Sequence, residues 1–188
     1  MDNRWRGGLK AQSDTAADET MMFHENEREI MEINAKTLAE QPFFKGMSEP
    51  LLKLLAREAM PAEFKAGEEI FNEGGLANRF YLICSGKVEL QVTSDFEHQP
   101  AVVETIGAGS VLGWSWLFPP YTWHFDACAI SPAKAIFFYG TRLREECEAN
   151  PELGYELMKR VSAVVIERLQ ATRRRLVERE KKSLVAPI

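Results

Sequence analysis

The apolar positions of this chain change period twice, from helical spacing to strict alternation and back. Ile30, Ile33, Asn34, Thr37 and Leu38 follow the acidic run Glu25, Glu27, Glu29 and Glu32 at spacings of three and four. They predict an amphipathic helix that stops before Pro42. Gly46 breaks the chain, and Ser48 is placed to cap a second, short helix with Leu51, Leu52, Leu54, Leu55 and Met60 as its apolar content. Pro61 ends it.

The period then becomes two. Val88, Leu90 and Val92 alternate with Lys87, Glu89 and Gln91, which predicts a half-buried strand. Similar stretches fall at 79–84, 101–106, 126–131 and 134–139, with weaker ones near Glu63 and Ile70. Seven of the twelve glycines lie between Gly67 and Gly113, near strand boundaries where a turn is needed. Many short strands at even spacing predict a small antiparallel barrel or sandwich.

After Tyr139 the helical period returns. Thr141 is placed to cap a short helix reaching Glu148, and Asn150-Pro151 opens a long one. Leu153, Leu157, Val161, Val164, Val165, Leu169, Thr172 and Leu176 form its stripe. Running from 151 to 182, it would span about 48 Å and project beyond a barrel of this size. Such a stripe needs a partner, and the simplest is the same helix of a second copy; packing on its own barrel is the alternative. The reading is thus a flexible arm at 1–20, helices at 21–60, a barrel at 61–140 and C-terminal helices at 141–188.

Composition narrows the class. The 188 residues are 45% hydrophobic and 27% charged, which excludes a disordered, collagen-like or disulfide-scaffold chain. A net charge of -5 argues against a basic nucleic-acid coat protein. Cys84, Cys128 and Cys147 form no C-x-x-C pair and read as reduced thiols. No apolar run suits a signal peptide, and the most apolar stretch, 114–123, carries two prolines and is too short to span a membrane. A soluble, cytoplasmic protein without a membrane partner is expected. No G-x-S-x-G, P-loop or H-E-x-x-H motif occurs, and His24, His98 and His124 form no H-x-H pair. Neither catalysis nor a metal or other cofactor is expected.

The order of elements acquires a family likeness through four motifs: Gly67-Glu68-Glu69-Ile70-Phe71, Phe80-Tyr81-Leu82-Ile83, Ser85-Gly86-Lys87-Val88 and Gly109-Ser110-Val111-Leu112-Gly113. Over residues 43–175 the chain resembles the cyclic nucleotide-binding domain of the catabolite-activator family and of kinase regulatory subunits. The resemblance implies an eight-stranded antiparallel jelly-roll barrel (a double-stranded β-helix) with N-terminal helices and a long C-terminal helix. It also implies a short helical cassette that cradles a cyclic phosphate. The family cassette reads phenylalanine-glycine-glutamate, with an arginine ten residues after the glutamate. Backbone N–H groups and the guanidinium hold the phosphate, and the glutamate holds the ribose.

This chain departs at both charged positions. Trp114 stands for the glutamate and His124 for the arginine, and Arg79 and Arg142, the nearest arginines, lie in other segments. Losing both contacts removes about 3–6 kcal/mol, or about two to four decades of affinity. Tight cAMP or cGMP binding is therefore not expected. Three tryptophans, two phenylalanines and a tyrosine crowd residues 114–127. The candidate pocket residues are Gly113, Trp114, Ser115, Trp116, Trp123, His124, Phe125 and Asp126. Trp114 and Trp116 either fill the core or meet a ligand or partner. His124 is open between a hydrogen-bonded packing role, anion contact and ligation.

From Arg168 to Lys182 seven basic residues face Glu178 and Glu180, read as solvated charge favouring the helix C-terminus or as contact with an acidic surface. Family transcription factors follow the long helix with a helix-turn-helix domain. Only twelve residues follow Leu176 here, so sequence-specific DNA binding is not expected. The expected function is a non-enzymatic regulatory or sensor module. A partner-docking subunit of a larger enzyme complex with a collapsed pocket, and a weak cyclic-nucleotide-binding regulator, are the alternatives. The expected partners are a second copy through the long helix and an unidentified protein or small molecule.

Overall fold

The structure, a computed structural model, describes residues 33–92 and 100–185, excluding the side chains of residues 179 and 182–185. The expected arm, most of the first helix, His24 and His98 lie outside the described residues. What is described of that helix is one short piece, α1 (Ala35–Ala39). Asn34 does not ride in its stripe; its side-chain oxygen accepts from the N–H groups of Lys36 at 2.9 Å and Thr37 at 3.0 Å and so starts the helix. A 3-10 turn (Pro42–Phe44) leads to α2 (Glu49–Glu58), which buries Leu51, Leu52 and Leu55. Ser48 occupies its cap position without making the side-chain capping bond expected of it.

Eight strands follow: β1 (Met60–Phe64), β2 (Glu69–Phe71), β3 (Arg79–Ser85), β4 (Lys87–Val92), β5 (Ala101–Gly107), β6 (Val111–Leu112), β7 (Asp126–Ala129) and β8 (Ala133–Tyr139). They form two antiparallel sheets, β1-β8-β3-β6 and β2-β7-β4-β5. This is the expected jelly roll with flanking helices, but its sheets do not close into a continuous barrel. Between them lie Tyr81, Ile83, Val88, Leu90, Ile106, Leu112, Ala127 and Ala135.

β3 is buried on both faces, so it reads as a nearly continuous apolar run rather than an alternation. Tyr81 and Ile83 face the sandwich. Phe80 points the other way, to Phe43 (ring centroids 5.4 Å) and Trp116 (6.0 Å), and Phe138 of β8 meets Phe44 at 6.1 Å. These rings weld the N-terminal 3-10 turn to the sheet.

Two helices complete the chain, α3 (Gly140–Ala149) and α4 (Pro151–Val185). α3 begins one residue before the expected Thr141 cap, with Gly140 so close to Trp116 that an added Cβ would sit 2.8 Å from the Trp116 Cβ. In α4 the Asn150 side chain accepts from the N–H of Leu153 at 3.2 Å, as the Asn-Pro start predicts. Its 35 residues span about 52 Å. No helix among the described residues is long and apolar enough to cross a membrane.

The single stripe expected along α4 divides in two. Leu153, Leu157 and Val161 are fully buried on the chain's own core, whereas Leu169 and Leu176 are exposed. What holds the distal half down is arginine. Arg160 donates to the carbonyls of Phe43 at 2.6 Å and Lys45 at 3.0 Å. Arg168 donates to the Val111 carbonyl at 2.6 Å and pairs with Glu104 at 3.2 Å, and Arg175 donates to the Val103 carbonyl. Spacings of eight and seven keep all three on one helix face. Charge-assisted bonds of this kind contribute about 1.5–3 kcal/mol each when shielded from water. Within the basic tract Arg168 is turned inward and Arg175 reaches a strand carbonyl while staying exposed, whereas Arg173, Arg174 and Lys181 are exposed, as solvated charge predicts; α4 lies along the sandwich at least as far as Arg175.

Candidate functional site

The candidate residues occupy the connection from β6 to β7. Val111 and Leu112 pair with Leu82 and Tyr81 of β3, which delivers the chain to Gly113 at the mouth of the sandwich. Gly113 has φ +82°, and a Cβ there would lie 2.8 Å from the Trp123 ring and 3.0 Å from the Arg79 carbonyl. Only glycine serves both the left-handed turn and that approach. A 3-10 turn (Trp114–Leu117) follows, then Pro119, Pro120 and Tyr121, and the chain re-enters the sheet at Asp126.

The three tryptophans take three different environments. Trp116 is wholly buried, but toward the helices, against Phe80, with its carbonyl accepting from Arg144 at 2.8 Å. Its indole nitrogen is buried without a hydrogen-bond partner. Trp114 is half-buried at the surface, edge-on to Phe118 and parallel to His124 at 6.2 Å. Trp123 is the inserted one. It is 6% exposed and stacks on Phe71 of β2 with ring centroids 3.9 Å apart and planes 12° apart. Its backbone is fixed too, its N–H donating to the Gly75 carbonyl at 2.8 Å and its carbonyl accepting from Gly74 at 2.9 Å.

Little space remains. The cavity beside Trp123 is about 10 Å³, close to the minimum for a single water. Six of the eight candidate residues line it: Gly113, Trp114, Ser115, Trp123, His124 and Phe125. Trp116 and Asp126 do not. Asp126 instead accepts the Glu73 N–H at 2.8 Å and fastens the turn after β2. Ser115, 5% exposed, meets His124 Nδ1 at 3.1 Å, while the His124 ring is exposed.

Two arginines belong to this neighbourhood that sequence reasoning did not assign to it. Arg168 lines the same small cavity from α4. Burial pulls its guanidinium below the ordinary arginine value, opposed by Glu104 and then Glu167. The signal was its place four residues after Val164 and seven after Val161, on the inward face of α4. Arg144 of α3 donates to the Trp116 carbonyl, reaches Thr141 Oγ1 at 3.4 Å and lies 4.4 Å over the Tyr121 ring, tying the aromatic segment to the helices. By contrast Arg79 rests on the Phe137 and Tyr139 rings and bonds the Tyr81 hydroxyl, and Arg142 pairs with Glu145 on α3.

The chemistry available is that of a shut aromatic pocket with one buried cation at its side. Among the described residues no cluster of three or more His, Cys, Asp or Glu is placed to hold a metal. The three cysteines are free thiols, and burial, reinforced by Glu146 and Glu148, pushes Cys147 up to about 11.

Known proteins carry the same frame. Residues 61–150 match the model of the cyclic nucleotide-binding domain family. A solved Geobacter metallireducens structure named for cyclic nucleotide binding is 33% identical, with a TM-score of 0.66, over 73% of this chain and 98% of that one. A CRP-like cAMP-activated global transcriptional regulator of Mycobacterium tuberculosis is 25% identical over 75% of this chain, which spans 61% of that regulator's length. The regulatory subunit of a cAMP-independent protein kinase A from Trypanosoma brucei shares the fold at 22% identity and TM-score 0.55, over 68% of this chain and 45% of that one.

Proposed function

The chain belongs to the cyclic nucleotide-binding domain family, and from that membership we propose a non-enzymatic regulatory module whose cassette is held shut by its own aromatic side chains. In this reading it does not bind cAMP or cGMP tightly, and it acts through protein contacts. One observation carries the proposal: Trp123 stacked on Phe71, with about 10 Å³ left beside it. A drug-sized ligand needs about 300 Å³ or more. The replacement of the cassette carboxylate and guanidinium by Trp114 and His124 acts in the same direction. A protein kinase subunit described as cAMP-independent shares the fold, so a module of this kind has a precedent of shape.

Calorimetric titration with cAMP and cGMP tests it. The expected result is no saturable binding tighter than about 100 μM; a dissociation constant below about 10 μM overturns the proposal. The runner-up, weak nucleotide binding, is favoured by the Arg168 guanidinium beside the cavity. It predicts weak, saturable binding that Trp114→Glu with His124→Arg tightens.

The protein contact to be tested first is with a second copy. Tyr155, Ser162, Leu169 and Leu176 follow one another at seven-residue spacing along α4, with Met158, Val165 and Thr172 between them at the alternate heptad position. Tyr155 is 68% exposed, Leu169 67% and Leu176 56%. Such a seam is suited to a parallel helix pair, with the polar Ser162 weakening it locally. Sedimentation velocity is expected to show a dimer at micromolar concentration and a monomer for Leu169→Glu. An unchanged sedimentation coefficient in that variant removes the seam from the interface.

A further inference from the structure

We infer that Arg79, at the open end of the first sheet, is an oxyanion site, and that it takes a small carboxylate with an apolar body. Arg79 opens β3, and the strand period of two puts it on the sandwich face with Tyr81. The register sets Met60, Phe137 and Tyr81 in one row across β1, β8 and β3, with Tyr139 opposite Arg79 in the outermost row. The guanidinium lies over the Phe137 ring at 5.2 Å and the Tyr139 ring at 5.8 Å. Arg79 itself is half-buried there, yet this end is open to solvent: Tyr139 is 40% exposed and Met60 45%.

The surroundings of Arg79 select the sign of the ligand. Among the described residues it makes no ion pair, whereas Arg142, Arg160 and Arg168 each meet a carboxylate. Its one hydrogen bond is long, from Nη1 to the Tyr81 hydroxyl at 3.5 Å, and its Nε is buried without an acceptor. The bond to Tyr81 is the first cause that favours the charged form, burial opposes it, and the phenols of Tyr81 and Tyr139 supply the rest, with no carboxylate contributing. A guanidinium carries several N–H donors in one plane, and here most have no acceptor. A planar carboxylate completes them from the solvent side, where Nη2 and the Tyr139 hydroxyl are donors. Met60 and the Tyr139 ring give a hydrocarbon body a seat beside that charge, which favours a carboxylate on an apolar frame over inorganic phosphate. Tyr81 stacks in turn on Phe71 (ring centroids 6.4 Å, planes 26° apart), the ring beneath Trp123. The site thus stands at the outer end of the row of rings that fills the cassette, without depending on the cassette being shut.

The probe is para-fluorobenzoate, read by fluorine NMR on the full chain, with the neutral para-fluorobenzamide as its partner. Saturable binding of the acid at about 1 mM or tighter is expected, and none of the amide. Inorganic phosphate is expected to displace the acid only at about tenfold higher concentration or more. Arg79→Gln is expected to weaken the acid about tenfold or more. Arg79→Lys, which keeps the charge and loses the planar fork, is the second variant should the first not fold, as judged by circular dichroism, and is expected to weaken it too. Arg142→Gln, on α3, is expected to change nothing. No saturable binding of the acid, equal binding of the amide, displacement by phosphate at equal concentration, binding unaffected in the folded Arg79 variant, or binding lost in Arg142→Gln instead, each overturns the assignment.

Discussion

Trp123→Ala lowers stability by about 3–5 kcal/mol, which for a chain of this size is a fall in melting temperature of about 6–20 °C. The size follows from what the indole does. It is 6% exposed, stacked on Phe71 and in contact with Gly113, so truncation removes buried apolar area, an aromatic pair worth about 0.5–1.5 kcal/mol beyond its area, and leaves a cavity. Differential scanning calorimetry measures it, and a loss below about 1 kcal/mol would mean that the ring lies on the sandwich without supporting it. The same variant separates two reasons for a silent pocket. Opened but still lacking the two cassette charges, it is expected to bind cAMP no better than about 100 μM. A gain to micromolar affinity from Trp123→Ala alone would assign the block to closure and not to Trp114 and His124.

The second large effect is expected at Gly86, in the turn between β3 and β4. Its φ is +84°, and an added Cβ would stand 2.3 Å from the Pro132 carbonyl oxygen and 2.6 Å from the Ala133 Cα. Both are backbone atoms where the β7–β8 turn enters β8, and backbone cannot rotate away. Gly86→Ala therefore carries the left-handed penalty of about 1–2 kcal/mol and an overpacking cost of about 1–3 kcal/mol. Gly67 supplies the control, with nearly the same φ, +82°, and nothing within 4 Å of an added methyl. Urea unfolding of the two alanine variants is expected to place Gly86→Ala at least about 1 kcal/mol below Gly67→Ala. Equal losses would show that the turn relaxes and that the contact costs nothing.

Where one face of a strand is buried, the sequence is a good guide: Val88 and Leu90 go in and Lys87 goes out, as their alternation predicts. The ends of β3 and β8 were legible for another reason, an unbroken apolar run bounded by polar residues, because helices cover the outer face of that sheet. What residue type does not encode is which of several equivalent groups takes a given place. Three indoles lie within ten residues, and pattern alone does not single out Trp123 as the one inserted beside Phe71. That choice depends on the cross-chain hydrogen bonds of Trp123 with Gly74 and Gly75, some fifty residues away. Arg168 and Arg175 were hidden similarly. Their partners include carbonyl groups, which every residue owns, and the acidic partner of Arg168, Glu104, lies about sixty residues away on β5 with no sequence spacing to mark it.

That choice of partner shapes how the fold is free to drift. Arg160, Arg168 and Arg175 grip four carbonyl oxygens, of Phe43, Lys45, Val111 and Val103. A grip on main-chain atoms is blind to the side chains that those positions carry. Glu104 apart, substitutions along β5 and β6 and in the N-terminal turn leave the handholds where they are, as long as the strands keep their path. Apart from the Arg168–Glu104 pair, the helix and the sandwich therefore need not co-evolve residue by residue at these points, and the inheritance of their mutual placement rests largely on three arginine codons on one side.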